Sequence, residues 1–229
     1  MIKAIFFDLD YTLYDQTLYF SSSFAAIARY LRERYSLSEE EIIARLKILL
    51  DNKGSTHPKL FNDLLEYLGL CDEQLVKTLV RIFHEAPVES LVLYEDARSV
   101  LPHLAQRYML GLITNGNPEM QRRKVTALGL EDLIPIHVYT AEIGCPKPGV
   151  GGYEYAIKAA KVKARESLYL GDNPYVDFIG AKQLGMYTVR LLRGEFMLVK
   201  DNSYMIDFEI RDFYQFENMF PNFDIREGP

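Results

Sequence analysis

Asp8, Asp10 and Thr12 stand two residues apart, directly after the apolar run Ala-Ile-Phe-Phe at positions 4 to 7. Two carboxylates this close repel each other unless a cation or a proton offsets the charge, so the spacing calls for a divalent metal, a shared proton or both. Side chains alternate along extended backbone, which predicts these three polar groups on one side and Leu9, Tyr11 and Leu13 on the other. Asp and Thr also favour helix caps and turns, so the motif alone has an ordinary structural explanation. Later strand ends tip the balance, because they carry Thr114, Lys147 and the pair Asp172 and Asp177.

Each of these groups suits one part of an anion site. Thr114 and Asn115 close an apolar run at a glycine-containing turn before a predicted helix, where a hydroxyl, an amide and exposed N–H groups can cradle an oxyanion or phosphate. Lys147 sits in Cys-Pro-Lys-Pro with little backbone freedom, as a partner for the Asp8 and Asp10 charge and for a substrate anion. Gly171-Asp172, with Asp177 five residues on, offers carboxylate oxygen to a hard cation; Mg2+ fits best, since it takes a few carboxylates with water and substrate phosphate. Together the groups point to metal-assisted phosphoryl transfer through an aspartyl intermediate, with Asp8 attacking phosphorus and Asp10 acting as acid and then base.

Positioning these groups requires strands that end in one crevice. The run at 4–7 has the length and composition of a buried parallel strand. Further strands are predicted at 109–113, 136–139, 168–170 and 187–191, with a sixth near Tyr204 to Ile206 before an acidic, aromatic tail. Helical faces lie between them, at 97–108, after Asn117-Pro118 up to Gly129, at 152–161, and after Asn173-Pro174 up to Gly185. Such alternation implies an α/β fold, a Rossmann-like three-layer core around a parallel sheet with right-handed crossovers. In such sheets ligands bind beyond the carboxyl ends of the strands. Between the first strand and the rest the pattern is helical only. Four helices are predicted there, near 20–35, from a Ser38/Glu41 capping box, near 58–68 and near 72–85. The expected division is a core of residues 1–14 and 92–229 and a helical insert of residues 15–91.

The 229 residues, 48% hydrophobic, suffice for one large domain or a core with an insert. A net charge of −6 with no basic stripe argues against nucleic-acid binding, and no stretch approaches the roughly 18 apolar residues of a membrane helix. A soluble, cytoplasmic protein is expected. Cys71 and Cys145 show no metal-ligand spacing and read as reduced thiols.

In order along the chain, Asp-Leu-Asp-Tyr-Thr, Ile-Thr-Asn-Gly, Lys-Pro and Gly-Asp-Asn-Pro-Tyr-Val-Asp resemble the four motifs of the haloacid dehalogenase superfamily of hydrolases. The resemblance implies Asp8 as nucleophile, Asp10 as general acid/base, Thr114 as phosphate ligand and Lys147 as the charge-stabilising lysine. It further implies Mg2+ held by Asp8, Asp172 and the backbone carbonyl of Asp10, with Asp177 behind them or orienting Lys147, and Thr12 in support. The insert resembles an α-helical C1 cap, which in this family closes over the site and selects substrate. Two departures stand out: Tyr11 replaces a usually small or acidic residue, and Gly149-Val150-Gly151-Gly152 replaces a proline-led helix start. Each glycine is expected to weaken that helix by roughly 1 kcal/mol relative to alanine.

The expected substrate is a small phosphate monoester, whether a sugar phosphate, a nucleoside monophosphate or phosphoglycolate. Three alternatives share the scaffold: a sugar phosphate mutase, a 2-haloacid dehalogenase, which needs no carboxylate at position 10, and a catalytically silent binding protein. The polar segment Lys53 to Lys59 could read a second anionic or hydroxyl group, although a solvated inter-helix loop is the favoured reading. Oligomeric state is left open.

Overall fold

In a computed structural model, which describes residues 1–200 and 204–219, the chain divides into two compact units, Met1–Gln16 with Leu91–Pro229 and Thr17–Ser90. The first is built on strands β1 (Ala4–Phe7), β2 (Met109–Thr114), β3 (Ile136–Tyr139), β4 (Ser167–Gly171), β5 (Tyr187–Leu191) and β6 (Phe208–Ile210). They form one sheet in the order β3-β2-β1-β4-β5-β6, and every neighbouring pair is parallel. Chain order reverses at β1, whose neighbours are β2 and β4. All three strands that carry the chemistry-bearing residues therefore end side by side.

The sheet is covered on both faces, so every residue of β1 and β4 is buried. Helices α5 (Glu95–Ala105), α6 (Pro118–Ala127), α7 (Gly151–Ala160), α8 (Ile179–Gln183) and α9 (Phe213–Met219) alternate with the strands. On one face Phe6, Ile113, Val138 and Tyr169 pack with Tyr153 of α7 and Ala181 of α8. Phe7, one residue on and hence on the other face, meets Phe213 of α9 with ring centroids 5.9 Å apart. The acidic, aromatic tail named from sequence lies, beyond residue 219, outside the described residues.

The second unit contains α1 (Thr17–Tyr35), α2 (Glu39–Lys53), α3 (Leu60–Tyr67) and α4 (Glu73–His84) around an apolar core that includes Phe24, Ile27, Leu31, Leu46, Leu64 and Leu79. The capping box at α2 is half formed: Ser38 Oγ accepts the Glu41 N–H at 3.3 Å, while the Glu41 carboxylate accepts from the Tyr67 hydroxyl at 3.0 Å. Among the described residues no helix is long and apolar enough to cross a membrane.

Three local expectations are corrected, and a glycine after Lys147 gains a packing role. The sixth strand lies at Phe208–Ile210, not 204–206, because the pairing partner offered by β5 begins at Val189 opposite Phe208. Asn173-Pro174 does not start a helix; Asn173 Oδ1 accepts the Tyr175 N–H (3.0 Å) in a turn, and α8 begins only at Ile179. Extended backbone does not run on through Thr12. A turn follows β1 in which the N–H groups of Thr12 and Leu13 donate to Leu9 O (3.3 and 3.0 Å), and Tyr11 adopts φ 55°. The strict alternation predicted for Asp8, Asp10 and Thr12 therefore fails. Lastly, the Gly151 N–H donates to Cys145 Sγ at 3.3 Å, and a Cβ on Gly151 would lie 2.9 Å from that sulfur. The glycine sacrifices helix propensity to let the chain after Lys147 close around a side chain, so it packs this segment and does not simply loosen it.

Candidate active site

The end of β1 delivers Asp8, whose own N–H donates to Leu170 O of β4 at 2.9 Å, so the sheet ladder itself fixes the carboxylate. Lys147 reaches it from the segment between β3 and α7. Its Nζ donates to Asp8 Oδ1 (2.6 Å), to Asp177 Oδ1 (2.6 Å) and to the Tyr169 hydroxyl (2.9 Å). The ammonium is 3% exposed, so each of these partners offsets the desolvation of a buried cation. Burial alone would lower the Lys147 pKa, but Asp177 and Asp8 reverse the effect and raise it.

Asp177 is held from its other side. Its Oδ2 accepts the Asn173 N–H at 2.9 Å, and Gly171 passes so close that a Cβ there would lie 2.5 Å from the same oxygen. Only glycine fits at that strand end. Asp172 follows it, and the Thr12 hydroxyl reaches Asp172 Oδ1 at 3.5 Å. Asp172 Oδ2 is buried without a partner.

Carboxylate oxygens of Asp8, Asp172 and Asp177 all lie within 4.8 Å of one another. Three buried carboxylates face the ammonium of Lys147, and burial together with mutual repulsion makes Asp8 and Asp172 weaker acids. Burial, reinforced by Asp177 and Asp10 against the pull of Lys147, lifts the Asp8 carboxyl to about 7. Burial, with Asp177 and Asp8, pushes Asp172 well above the carboxylate range. An orphaned buried oxygen within an uncompensated acidic cluster is the donor set that a hard divalent cation satisfies. Asp177 has both oxygens engaged, so Asp8 and Asp172 are the groups left to hold such an ion.

Asp10, two residues after Asp8, is not one of the three clustered carboxylates and has its own partners. Its Oδ1 accepts from Lys124 Nζ (2.7 Å) and the Tyr14 hydroxyl (2.5 Å), and its Oδ2 accepts from Gln121 Nε2 (2.8 Å). Burial would raise its pKa, but Lys124, through charge and hydrogen bond, brings it below the usual value.

The end of β2 supplies Thr114, whose Oγ1 accepts from Gln121 Nε2 at 2.7 Å. Asn115, expected at the substrate, is turned toward the lysine segment: its Oδ1 accepts from Lys147 N (2.9 Å) and the Thr140 hydroxyl (2.7 Å), and its Nδ2 donates to Lys147 O (3.1 Å). The structure thus gathers Asp8, Lys147, Asp172 and Asp177 into one network and places Asp10 and Thr114 in a second, joined through Gln121.

Sequence reasoning passed over Gln121, Lys124 and Tyr169. Tyr169 faces Lys147 from the middle of β4 and reads as an ordinary core aromatic. Gln121 and Lys124 occupy the buried face of α6 beside Met120 and Val125. The signal available was their period: a face that should be apolar carries an amide and an ammonium one turn apart.

Comparisons with known proteins place the chain in a family. The family model of haloacid dehalogenase-like hydrolases matches residues 5–191. The glyceraldehyde 3-phosphate phosphatase of Methanocaldococcus jannaschii is 34% identical over 212 residues, covering 89% of this chain and 91% of its own. The enzyme of the same name from Pyrococcus abyssi is 37% identical over 199 residues, covering 85% and 83%. Among solved structures, the 2-haloacid dehalogenase of Pseudomonas syringae is 27% identical and superposes with a TM-score of 0.69, covering 98% of this chain and 100% of its own. With its strand-end aspartates, its lysine and its extended match to these phosphatases, the chain belongs to the haloacid dehalogenase-like hydrolase family, on its phosphatase branch.

Proposed function

We propose that the protein is a Mg2+-dependent phosphatase of small phosphate monoesters, with a triose phosphate such as glyceraldehyde 3-phosphate as the leading substrate. The observation that carries this reading is the pairing of Asp8 with a buried Lys147 next to the uncompensated Asp172 oxygen. The names of the relatives, glyceraldehyde 3-phosphate phosphatase, point to the substrate.

In this reading Asp8 is the nucleophile. One of its oxygens forms a bond to phosphorus as the bond from phosphorus to the ester oxygen breaks, and Asp10 gives its proton to that departing oxygen. Water then attacks the aspartyl phosphate, Asp10 takes the proton, and Asp8 and inorganic phosphate are released. Lys147 offsets charge on Asp8 and the phosphoryl oxygens, and Thr114 binds a phosphoryl oxygen. Asp177 and Tyr169 hold Lys147 in place, Asn115 anchors its backbone, and Thr12 supports Asp172. Mg2+, held by Asp8, Asp172 and the backbone carbonyl of Asp10, would neutralise the charge that gathers between the attacking carboxylate and the phosphoryl group. The helical unit of residues 17–90 serves as the cap that selects among esters. Dehalogenation fits less well, since it leaves no oxygen to protonate and so gives a second carboxylate at position 10 no task.

The test is phosphate release from a panel of monoesters that includes glyceraldehyde 3-phosphate, nucleoside monophosphates and phosphoglycolate, with and without Mg2+. Turnover should require Mg2+, be fastest with the triose phosphate and vanish in Asp8→Asn. Failure of the folded, Mg2+-loaded wild type to release phosphate from any ester would refute the reading.

A further inference from the structure

Helix α6 carries a polar apparatus that the hydrolytic steps above leave without a task. Lys124 is fully buried, and its Nζ lies 2.7 Å from Asp10 Oδ1 and 5.8 Å from the centre of the Tyr14 ring, whose hydroxyl meets the same oxygen. Gln121, 1% exposed, donates from one amide nitrogen both to Asp10 Oδ2 and to Thr114 Oγ1. Its amide oxygen is buried with no partner.

A buried amide with an orphaned oxygen is costly to keep, and the cost is informative. Turning the amide over would aim its oxygen at the Asp10 carboxylate and at the threonine oxygen, so the observed orientation is dictated by donation to those two groups. Both N–H hydrogens are then spent, one on each. A single side chain thereby fixes the distance between Asp10 and Thr114. Lys124 and Tyr14 meanwhile hold the other carboxylate oxygen, so the Asp10 carboxyl cannot rotate about its own bond without breaking a charge-assisted contact.

We propose that Gln121 and Lys124 are positioning residues that aim Asp10 at the ester oxygen of a phosphoryl group held by Thr114. This inference rests on the phosphatase reading. Proton transfer needs the carboxyl within hydrogen-bond reach of the departing oxygen, and a carboxyl free to rotate spends little time there. The step is the first half-reaction already balanced above: the Asp8 oxygen bonds to phosphorus, the ester bond breaks, and the Asp10 proton moves to the departing oxygen.

Two substrates separate aiming from mere stability. The nitrophenolate leaving p-nitrophenyl phosphate departs without a proton, whereas the alkoxide of glyceraldehyde 3-phosphate needs one. With the Mg2+-loaded enzyme, kcat/KM for both esters reports attack by Asp8, but only the alkyl ester reports donation by Asp10. Lys124→Met and Gln121→Met should each lower kcat/KM for the alkyl ester on the order of 10²-fold, the usual worth of a placed general acid, and lower it far less for the aryl ester. Both variants should also show a burst of nitrophenol, because attack of water on the aspartyl phosphate still needs Asp10 as base. Thermal melts check the fold, and Gln121→Met, which strands no buried charge on its own, carries the test if Lys124→Met does not fold. Equal losses on the two esters, or no loss on either, would overturn the inference while leaving the phosphatase reading intact. A wild type that hydrolyses neither ester would overturn that reading and this inference with it.

Discussion

The interiors of the two units are built on opposite terms. In residues 17–90 the described buried side chains are apolar except Ser23, whose hydroxyl donates to Tyr19 O within its own helix. In the sheet unit Asp8, Lys124, Lys147, Asp172, Asp177 and Arg190 are all buried. Apolar burial is non-directional and tolerates substitution of like volume, while a buried ion is held only as long as its partners stay in place. The helical unit is therefore constrained by volume, and the sheet unit by geometry.

The largest test of this contrast is Lys147→Met. It strands Asp8 and Asp177 in a dry site, and removing one partner of a buried pair costs about 3–5 kcal/mol. Urea melts should show that loss, and phosphate release should disappear. Leu64→Ala in the helical unit should cost about 2–5 kcal/mol through its cavity, yet leave turnover of p-nitrophenyl phosphate close to wild type wherever the variant remains folded. Loss of chemistry in that variant would break the division between volume and geometry.

A smaller effect sharpens it. In metal-free protein the Asp8 pKa is raised from 3.8 to about 7, so between those values the unfolded chain gives up a proton that the folded chain retains. Stability should then fall as pH rises from about 4 to about 7, and the raised Asp172 carboxyl adds to the same trend. Melting temperatures at fixed ionic strength should trace that decline, Asp8→Asn should lessen it, and Mg2+ should oppose it by stabilising the ionised carboxylates. A flat metal-free profile would mean that the acidic cluster is not under the strain its burial implies.

Much of this arrangement is readable from the chain alone, for identifiable reasons. Strands β3 and β5 fall at the residues their apolar runs delimit, and Gly129 and Gly185 end helices through positive φ as their positions suggest. Asp8, Lys147, Asp172 and Asp177 could be placed together because each follows a buried strand or sits between prolines, and parallel strands end in one crevice. What stayed hidden depended on partners distant in sequence. Lys124 reads as a solvated helix lysine until Asp10 is brought against it. Asn115 reads as a substrate ligand until the backbone of Lys147 claims its amide. Asn173-Pro174 has the composition of a helix start, but Asp177 captures the Asn173 N–H and holds the segment in a turn.

The place of β1 in the sheet also sets a timetable. Its residues are made before those of every other strand, yet Ala4 pairs with Met109 on one side and Ser167 on the other. The helical unit, contiguous in sequence, can collapse on itself while the ribosome is still at work. Asp8 has to wait, because Lys147 and Asp177 emerge long after it. No chain that stops short of Asp177 can assemble the full charge network, so the site cannot form until β1 has gained both neighbours and the segment after β4 has been made.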